Sequence, residues 1–424
     1  MRSKFACRLL AASLSAILIQ PAFAETELNE LIAYAIEQDA GKRQITYQAD
    51  AMLDMGVANS QWKDPQLKLG VGNLPVDSFS FDKDPMTNIS VGLMQKFGRG
   101  DALDLQLKQS TEQADSMRQK AGVRELEVAN AITVLWIELF YQHKAQQTLE
   151  QNRVLFSDLE HYLSTNYGVG VNQAQDLIKA QLQVSVLDEK LQANQQLQQR
   201  IRAQLTEWLG DRALDIKVNR YPGWESLTEY LATKPQSHYN ALLTHPTVKM
   251  VDYLVESSET QVDIAHEAYK PQFGVEMMYG YRQANGMNGQ PASDLVSFFL
   301  TMDIPLFTDK RQDKKLSSAQ HLVGAAKSQR DLMLQQMNAK VDALLVNHHN
   351  LQERSNRYSH TLLKRAKERT QAVERGYQNN TSQLDEYIRA ASEELNLALE
   401  QERLKADLQL TNSNLAFLLN KNKE

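Results

Sequence analysis

The sequence almost lacks cysteine. Of its 424 residues only Cys7 is a cysteine, and it lies in an N-terminal segment with the features of a secretory signal. That segment has basic residues before an apolar stretch at 9–19, followed by the small-x-small motif Ala22-Phe23-Ala24. We therefore expect residues 1–24 to be a signal peptide and the mature chain to contain no thiol. Disulfides, thiolate metal ligands and cysteine nucleophiles are excluded from such a mature protein.

An excess of positive charge and a long apolar helix are also missing. The formal net charge is −6, from 46 Lys and Arg against 52 Asp and Glu. Loss of Arg2, Lys4 and Arg8 with the predicted signal would leave 43 basic residues and a net charge of −9. An acidic exported protein is a poor nucleic-acid binder, so no nucleic-acid partner is expected. The best apolar run, 131–140, is short and contains Glu138, so a membrane-embedded part would have to consist of strands.

Glycine and proline are scarce over two long stretches, about 101–166 and 312–376. A continuous helix of that size would be on the order of 100 Å long. Apolar residues spaced three and four positions apart predict coiled-coil seams, which implies a rod or tube instead of a compact globule. The seam residues are Val128, Ile132, Leu135 and Leu139; Leu177, Ala180, Val184, Leu187 and Leu191; and Met337, Val341, Leu344 and His348.

The chain repeats itself about 206 to 210 positions apart. Pro65-Gln66-Leu67 returns as Pro271-Gln272-Phe273, and Asp176-Leu177-Ile178-Lys179-Ala180 returns as Glu386-Tyr387-Ile388-Arg389-Ala390. A repeat of this length is too long for a solenoid unit and describes a duplicated half-molecule. We expect a first repeat at 25–210, an equatorial or linker segment at 211–237 that matches nothing in the first half, and a second repeat at 238–424.

Each repeat contains two short segments in which apolar and polar residues alternate, as transmembrane barrel strands do. The predicted strands lie near 65–75, 87–97, 271–283 and 295–307. Four strands of a soluble sheet beside a coiled coil are the alternative interpretation. Since four strands cannot close a barrel and open edges are not tolerated in lipid, a membrane role demands oligomerisation. Three protomers would supply twelve strands.

These features resemble the TolC family of outer-membrane efflux proteins over essentially the whole mature chain. The residues that carry the resemblance are Pro65-Gln66 and Pro271-Gln272 before the strands, and a Tyr-x-x-Gly pattern followed six residues later by an acid. The resemblance implies a mainly α fold with transmembrane β: duplicated helix–strand–strand–helix halves that form a long coiled-coil α-helical barrel, with four strands per protomer in a trimeric 12-strand outer-membrane barrel.

The resemblance also implies a function. A homotrimer in the outer membrane, with its helical part in the periplasm, would be a passive duct that works with a periplasmic adaptor (membrane fusion) protein and an inner-membrane RND-type pump. The segment 72–95 resembles the branch that serves heavy-metal exporters. Export of drugs or proteins through the same fold is the alternative cargo. A periplasmic coiled-coil adaptor is the alternative protein class, although an adaptor would show one helical hairpin and this sequence shows two.

Two turns interrupt the long helices, and the resemblance assigns them to the periplasmic tip that docks the adaptor. Gly and Asn accept positive φ, which suits such turns. Asn172 and Ser382 are predicted N-caps of the returning helices. The expected docking residues are Tyr167, Gly168, Gly170, Asn172, Tyr377, Asn380 and Ser382.

Charged residues just after the turns are candidates for a gate: Asp176, Asp385, Glu386 and Arg389. Threefold rings of carboxylates at a constriction select cations and resist full ionisation. Arg389 could pair with Asp385 or Glu386, or it could simply be solvated. We expect no enzyme, no cofactor and no resident metal. His348, which falls on a predicted seam, is expected to pack instead of binding a metal.

Overall fold

The structure is a computed structural model that describes residues 23–170, 172–233 and 237–421. Residues 1–22, most of the predicted signal peptide, lie outside this range. The helices are α1 (Phe23–Gln38), α2 (Ala40–Asn59), α3 (Ala102–Gly168), α4 (Ala174–Leu209), α5 (Glu225–Ala232), α6 (Tyr239–Leu242), α7 (Pro246–Glu267), α8 (Gln312–Arg357), α9 (Leu363–Gln378) and α10 (Leu384–Leu419). The strands are β1 (Gln66–Gly72), β2 (Asn88–Lys96), β3 (Gln272–Tyr281) and β4 (Leu295–Asp303). A 3₁₀ segment at Gly210–Asp215 follows α4, and a π-helical turn at Tyr358–Leu362 separates α8 from α9.

The chain divides into two compact units. The first contains residues up to 35 together with 135–223, and the second contains 36–134 and 224–424. These units do not coincide with the two sequence repeats, and the predicted equatorial segment 211–237 is divided between them after Gly223.

The first unit is built on an antiparallel hairpin of α4 with the second half of α3. Ala180 and Leu187 of the predicted α4 seam are fully buried, and so are Phe156 and Leu163 of α3, which were not predicted. A buried amide in the same seam is satisfied across the hairpin, because Asn194 Nδ2 donates to Gln142 Oε1 at 2.7 Å. Arg153 and Asp188 add an ion pair of 2.5 Å.

The second unit contains the corresponding hairpin, in which α10 packs against α8 and α9. A hydrophobic core of this unit lies where α8 and α10 meet α5–α7, and Met337 and Val341 of the predicted seam are buried there. Leu344 packs against this core while half-buried. His348, the last residue of that seam, is half-buried as well, and burial lowers its pKa.

All four strands form one antiparallel sheet in the order β1-β2-β3-β4, each within a range predicted from the sequence. Residues that are directly paired share a face. Leu69 pairs with Val91, Val91 with Tyr279, and Tyr279 with Val296, so one row crosses all four strands on one face. Every large apolar side chain on this face is exposed: Leu67, Leu69, Val71, Ile89, Val91, Leu93, Phe273, Val275, Met277, Tyr279, Tyr281, Val296, Phe298, Leu300 and Met302.

The opposite face of the sheet is largely polar or small. Lys68 Nζ lies 2.7 Å from Glu276 Oε2 there, two strands away. Phe299 is a large apolar side chain exposed on this face, where it pairs with Glu276. The loop between β1 and β2 is closed by hydrogen bonds, in which Thr87 Oγ1 donates to the Asn73 carbonyl at 2.8 Å and Asn73 Nδ2 donates to the Met86 carbonyl at 3.2 Å. Within the described residues, no helix combines the length and apolar character that a membrane crossing requires.

Candidate docking and gate site at the helical turns

The first turn joins α3 to α4 through a left-handed glycine. Gly170 has φ +77°, and its N–H donates to the Tyr167 carbonyl at 3.0 Å, closing the turn after Gly168. The side chain of Tyr167 is exposed. Space around Gly168 and Gly170 is open, because an added Cβ at either position would meet nothing within 4 Å. Gly170 is therefore required by its backbone conformation and not by crowding.

The second turn joins α9 to α10 with asparagine in the equivalent place. Asn380 has φ +59°, and its N–H donates to the Tyr377 carbonyl at 3.0 Å, as at the first turn. The Gly376 carbonyl accepts from the N–H groups of Thr381 at 2.7 Å and Ser382 at 3.1 Å. A Cβ on Gly376 would lie 2.4 Å from Ser382 Oγ, so this turn is crowded where the first is open. Gly376 was not predicted from the sequence, because the equivalent residue of the first repeat is Asn166.

The two predicted N-caps are wrong. α4 and α10 begin at Ala174 and Leu384, and the residues at their N-cap positions are Gln173 and Gln383, which are extended and make no side-chain cap bond. Asn172 and Ser382 each lie one residue too early. Ser382 is instead placed against Gly376 by the hydrogen bond of its own amide. At this second turn, tight packing thus prevails over the usual capping preference of serine.

An aromatic stack supports the second turn. Tyr377 and Tyr387 have ring centroids 6.4 Å apart and planes inclined by 7°. Tyr387 is buried, and this burial, together with the nearby charges of Glu374 and Glu394, raises its pKa to about 12. The first repeat has Leu177 at the position of Tyr387, so no such stack can form there. The sequence signal for this stack is the change from Leu177 to Tyr387 between the repeats.

Candidate gate charges lie within the first two turns of α4 and α10. Arg389 Nη2 lies 3.2 Å from Asp385 Oδ2, which selects the i,i+4 pairing from the three alternatives. Both side chains are well exposed, at 70% and 49%. Glu386 is exposed, and its N–H donates to the Gln383 carbonyl at 3.1 Å. Asp176 is half-buried at the matching place on α4, where its N–H donates to the Gln173 carbonyl at 3.1 Å.

A π-helical turn at 358–362 directly precedes α9, the helix that leads to the second turn. His360 Nδ1 is 3.0 Å from the Asn356 carbonyl within this turn. A groove of about 390 Å³ lies beside it, with Tyr358, Arg389 and Glu393 in its lining. The first hairpin has an uninterrupted α-helix over the equivalent residues 148–152. Single π turns occur frequently at functional sites, and this one is confined to the second hairpin.

The histidines form no multidentate site in the described part of the chain. His349 Nε2 lies 3.3 Å from Glu353 Oε1, a pair exposed on one turn of α8. Among the residues described, no group of three or more His, Cys, Asp or Glu converges in a way that could hold a metal ion.

A known protein family matches the second repeat of the chain. The family described as "Outer membrane efflux protein" matches residues 238–421, almost the whole of the range predicted for that repeat. No curated protein sequence matches the chain.

Solved structures extend the likeness to nearly the whole fold. The chain is similar to CusC, with TM-score 0.76 and 14% identity over 98% of this chain and 98% of that one. It is similar to the outer membrane protein VceC from Vibrio cholerae, with TM-score 0.75 and 16% identity over 93% and 96%. It is also similar to the outer membrane channel CmeC of Campylobacter jejuni, with TM-score 0.73 and 11% identity over 94% and 86%. Residues 238–421 thus match the outer membrane efflux protein family, and over nearly its whole length the chain has the fold of these solved outer-membrane proteins.

Proposed function

We propose that this chain is the outer-membrane duct of a tripartite efflux system, a passive channel and not an enzyme. The observation that carries the proposal is the sheet, whose one face consists of exposed large apolar side chains while the other holds the Lys68–Glu276 ion pair. Such a face needs an apolar environment, since a soluble protein rarely leaves so many adjacent apolar side chains in water. Outward apolar and inward polar alternation is what a lipid-embedded strand requires.

The open edges of the sheet support a trimer. β1 and β4 are its outer strands, and each leaves a row of backbone groups without a strand partner in this sheet. Because lipid offers those groups no hydrogen bonds, the edges must meet the edges of other copies. Three copies would bring together twelve strands, an even number that can close. The helical hairpins would then extend into the periplasm.

The turns would form the end of the duct that meets the pump and its adaptor. Residues proposed for adaptor docking are Tyr167, Gly168, Gly170, Asn172, Tyr377, Asn380 and Ser382. Asp176, Asp385, Glu386 and Arg389 are proposed as the gate, where threefold repetition would produce rings of charge near the axis. The exposure of Glu386 and of the Asp385–Arg389 pair supports this role, because side chains buried within one chain could not face a lumen.

Single-channel recording tests the gate. The variants Glu386→Ala and Arg389→Ala, alone and together, are compared with Glu189→Ala, which removes an exposed carboxylate of α4 away from the turn. We expect the gate variants to change conductance or cation selectivity and the control to leave both unchanged. Unchanged conductance and unchanged selectivity in all three gate variants would remove Glu386 and Arg389 from the gate.

Heavy-metal cations are the proposed cargo, on the resemblance of segment 72–95 to the metal-exporter branch. A deletion strain is tested for growth on copper, silver, zinc, cobalt and cadmium salts, and in parallel on dyes and detergents. Metal-selective sensitivity that the intact gene restores is the expected result. Sensitivity restricted to dyes and detergents would keep the duct and discard the metal cargo.

A further inference from the structure

Helix α7 packs between two long helices of the second unit. On one side it contacts α8 through the ion pair of Asp252 with Arg330. On the other side it contacts the first half of α3, where Gln109 Nε2 donates to the Ser257 carbonyl at 3.2 Å. The second unit thus contains a complete example of how a short helix of this repeat is enclosed on two sides.

The contact between α7 and α3 is close and polar. Thr260 Oγ1 donates to Glu112 Oε2 at 2.7 Å, and Ser116 Oγ donates to the Met250 carbonyl at 2.9 Å. Thr260 is 1% exposed and Ser116 is 3% exposed. Buried polar groups need such partners, so the side of α7 that faces α3 depends on this neighbour.

Helix α2 is the equivalent of α7 in the first repeat, at an offset of 206. Both helices begin after an N-cap whose side chain accepts a backbone N–H, Asp39 for α2 and His245 for α7. Arg124 of α3 donates to Asp39, so α2 contacts the long helix of its own repeat, as α7 contacts α8. One of the two enclosing helices thus has its counterpart at α2.

The other side of α2 is uncovered. Ala51 and Asp54 are the equivalents of Ser257 and Thr260, and both are exposed. Tyr47, one turn before Ala51 on the same side of the helix, is 72% exposed. The helix that would correspond to α3 in the contact with α7 is therefore missing here.

Helix α8 has an exposed side that matches this gap. It is the equivalent of α3 at an offset of 209, the offset that relates the predicted seams of the two helices. Ser318, His321 and Ala325 are exposed, and their spacing of three and four places them on one side of α8. Their equivalents are the residues through which α3 contacts α7: Gln109, Glu112 and Ser116.

The two uncovered sides lie at opposite ends of one row of helices. Within one chain the contacts run from α2 to α3, from α3 to α7 and from α7 to α8. Helices α2 and α8 of one chain are therefore separated by two others. Two complementary sides at opposite ends of a protomer are what a head-to-tail contact between copies requires, and such contacts generate closed rings.

We propose that α8 of one copy packs against α2 of the next in the register that α3 and α7 adopt within one chain. The repeat offsets then place Ser318 against Ala51, and His321 against Asp54, across the contact. The inference rests on the proposed function. It adds to the sheet edges of the proposed trimer a helical surface with a defined register, in which each contact takes residues from two copies.

The contact of Asp54 with His321 would make assembly depend on pH. It replaces the Glu112–Thr260 hydrogen bond with a carboxylate that faces an imidazole. Histidine side chains become charged as the pH falls from about 8 to about 5, so the attraction to Asp54 would grow in acid. Exposed ion pairs of this kind change an equilibrium by roughly 2- to 5-fold for each contact.

Few other charges surround this contact. Residues 317–325 of α8 contain no charged or titratable side chain besides His321, and on α2 Asp50 lies one turn before Asp54. Helix α7 packs against α8 and carries Glu259, Asp263 and His266 at about this level, with Glu259 paired to Lys327 at 2.7 Å. Helix α3 packs against α2 and carries Lys108, Glu112 and Asp115. Replacing His321 alone leaves all of these in place.

Cysteine crosslinking tests the register, since Cys7 of the predicted signal is the chain's one cysteine. The double variant Ala51→Cys with Ser318→Cys is treated with dibromobimane, which joins two nearby thiols. The matched control is Ala51→Cys with Ala325→Cys, which moves one thiol two turns, about 10 Å, along the same side of α8. We expect covalent dimers and trimers from the first pair and not from the control. Equal yields from both pairs, or none from the first pair in a trimeric protein, would overturn the inference.

Dissociation of the trimer tests the histidine. Conversion of the heat-modifiable trimer to monomer is timed at one temperature at pH 8 and pH 5.5. We expect acid to slow the wild type by at least 2-fold more than His321→Gln, and a histidine moved to the adjacent exposed position, in His321→Gln with Gln320→His, not to restore the difference. The same pH dependence in wild type and His321→Gln would refute the Asp54–His321 contact.

The two experiments also separate this inference from the proposed function. A wild-type protein that forms trimers and conducts, but whose cysteine pairs do not follow the predicted register, would remain a duct with a different helical contact. A wild-type protein that forms no trimer would refute the proposed duct together with this surface.

Discussion

A single arginine on the apolar face of the sheet distinguishes a lipid-facing from a water-facing sheet. Leu69 is 73% exposed and lies in the middle of β1, opposite Val91. In lipid, Leu69→Arg would cost about 2–4 kcal/mol near the bilayer centre. That cost would lower the ratio of folded to unfolded chain by roughly 30- to 1,000-fold. In water, the same exchange at an exposed site would change stability by only about 0.5 kcal/mol.

Urea titration in lipid vesicles measures this difference, with the heat-modifiable folded band as the readout. The matched control is Ser90→Arg, on the opposite face beside Gly70, where Lys68 already brings a charge. We expect Leu69→Arg to lower the urea midpoint strongly and Ser90→Arg to change it little. Equal midpoints for Leu69→Arg and wild type would refute a lipid environment for this face.

Three further predictions concern the second turn and its surroundings. Gly376→Ala should destabilise the folded protein by about 1–3 kcal/mol because the new Cβ would meet Ser382. Gly168→Ala, whose Cβ would lie in open space, should be neutral or stabilise the protein by up to about 1 kcal/mol. Thermal unfolding of the two variants measures the difference. Burial raises the pKa of Tyr387 to about 12, so the stability that the neutral side chain contributes should be complete below pH 10 and should decline as the pH approaches 12. The free energy of unfolding, measured as a function of pH, should not show this decline in Tyr387→Phe. Arg389→Ala should change the free energy of unfolding by less than about 0.5 kcal/mol, since its ion pair is exposed; a larger loss in denaturant titration would mean that the pair supports the fold.

Periodicity predicted the elements of this fold well. Period-two alternation located all four strands. The three-four spacing located seam residues such as Val128 and Ile132 on α3 and Val341 on α8, all of which are buried. Both signals are local, because each records which side of an element is covered. The order of the strands could be anticipated only through the family resemblance, since pairing of β2 with β3 joins residues far apart in the chain.

The turns were predicted in position but not in detail. Gly170 and Asn380 have the positive φ that their residue types favour. The N-cap predicted at the second turn was wrong because Ser382 packs against Gly376, a contact that no local preference describes. The stack of Tyr377 on Tyr387 was missed for the same reason, since it depends on how α9 and α10 face each other.

The central claim is that copies of this chain close a conducting channel in a lipid bilayer, and planar-bilayer recording of the purified trimer tests it most directly. The claim predicts discrete conductance steps of uniform size. The purified Leu69→Arg variant, added at the same concentration, should produce these steps much less often than the wild-type protein. Absence of steps from a protein that is folded and trimeric would contradict it.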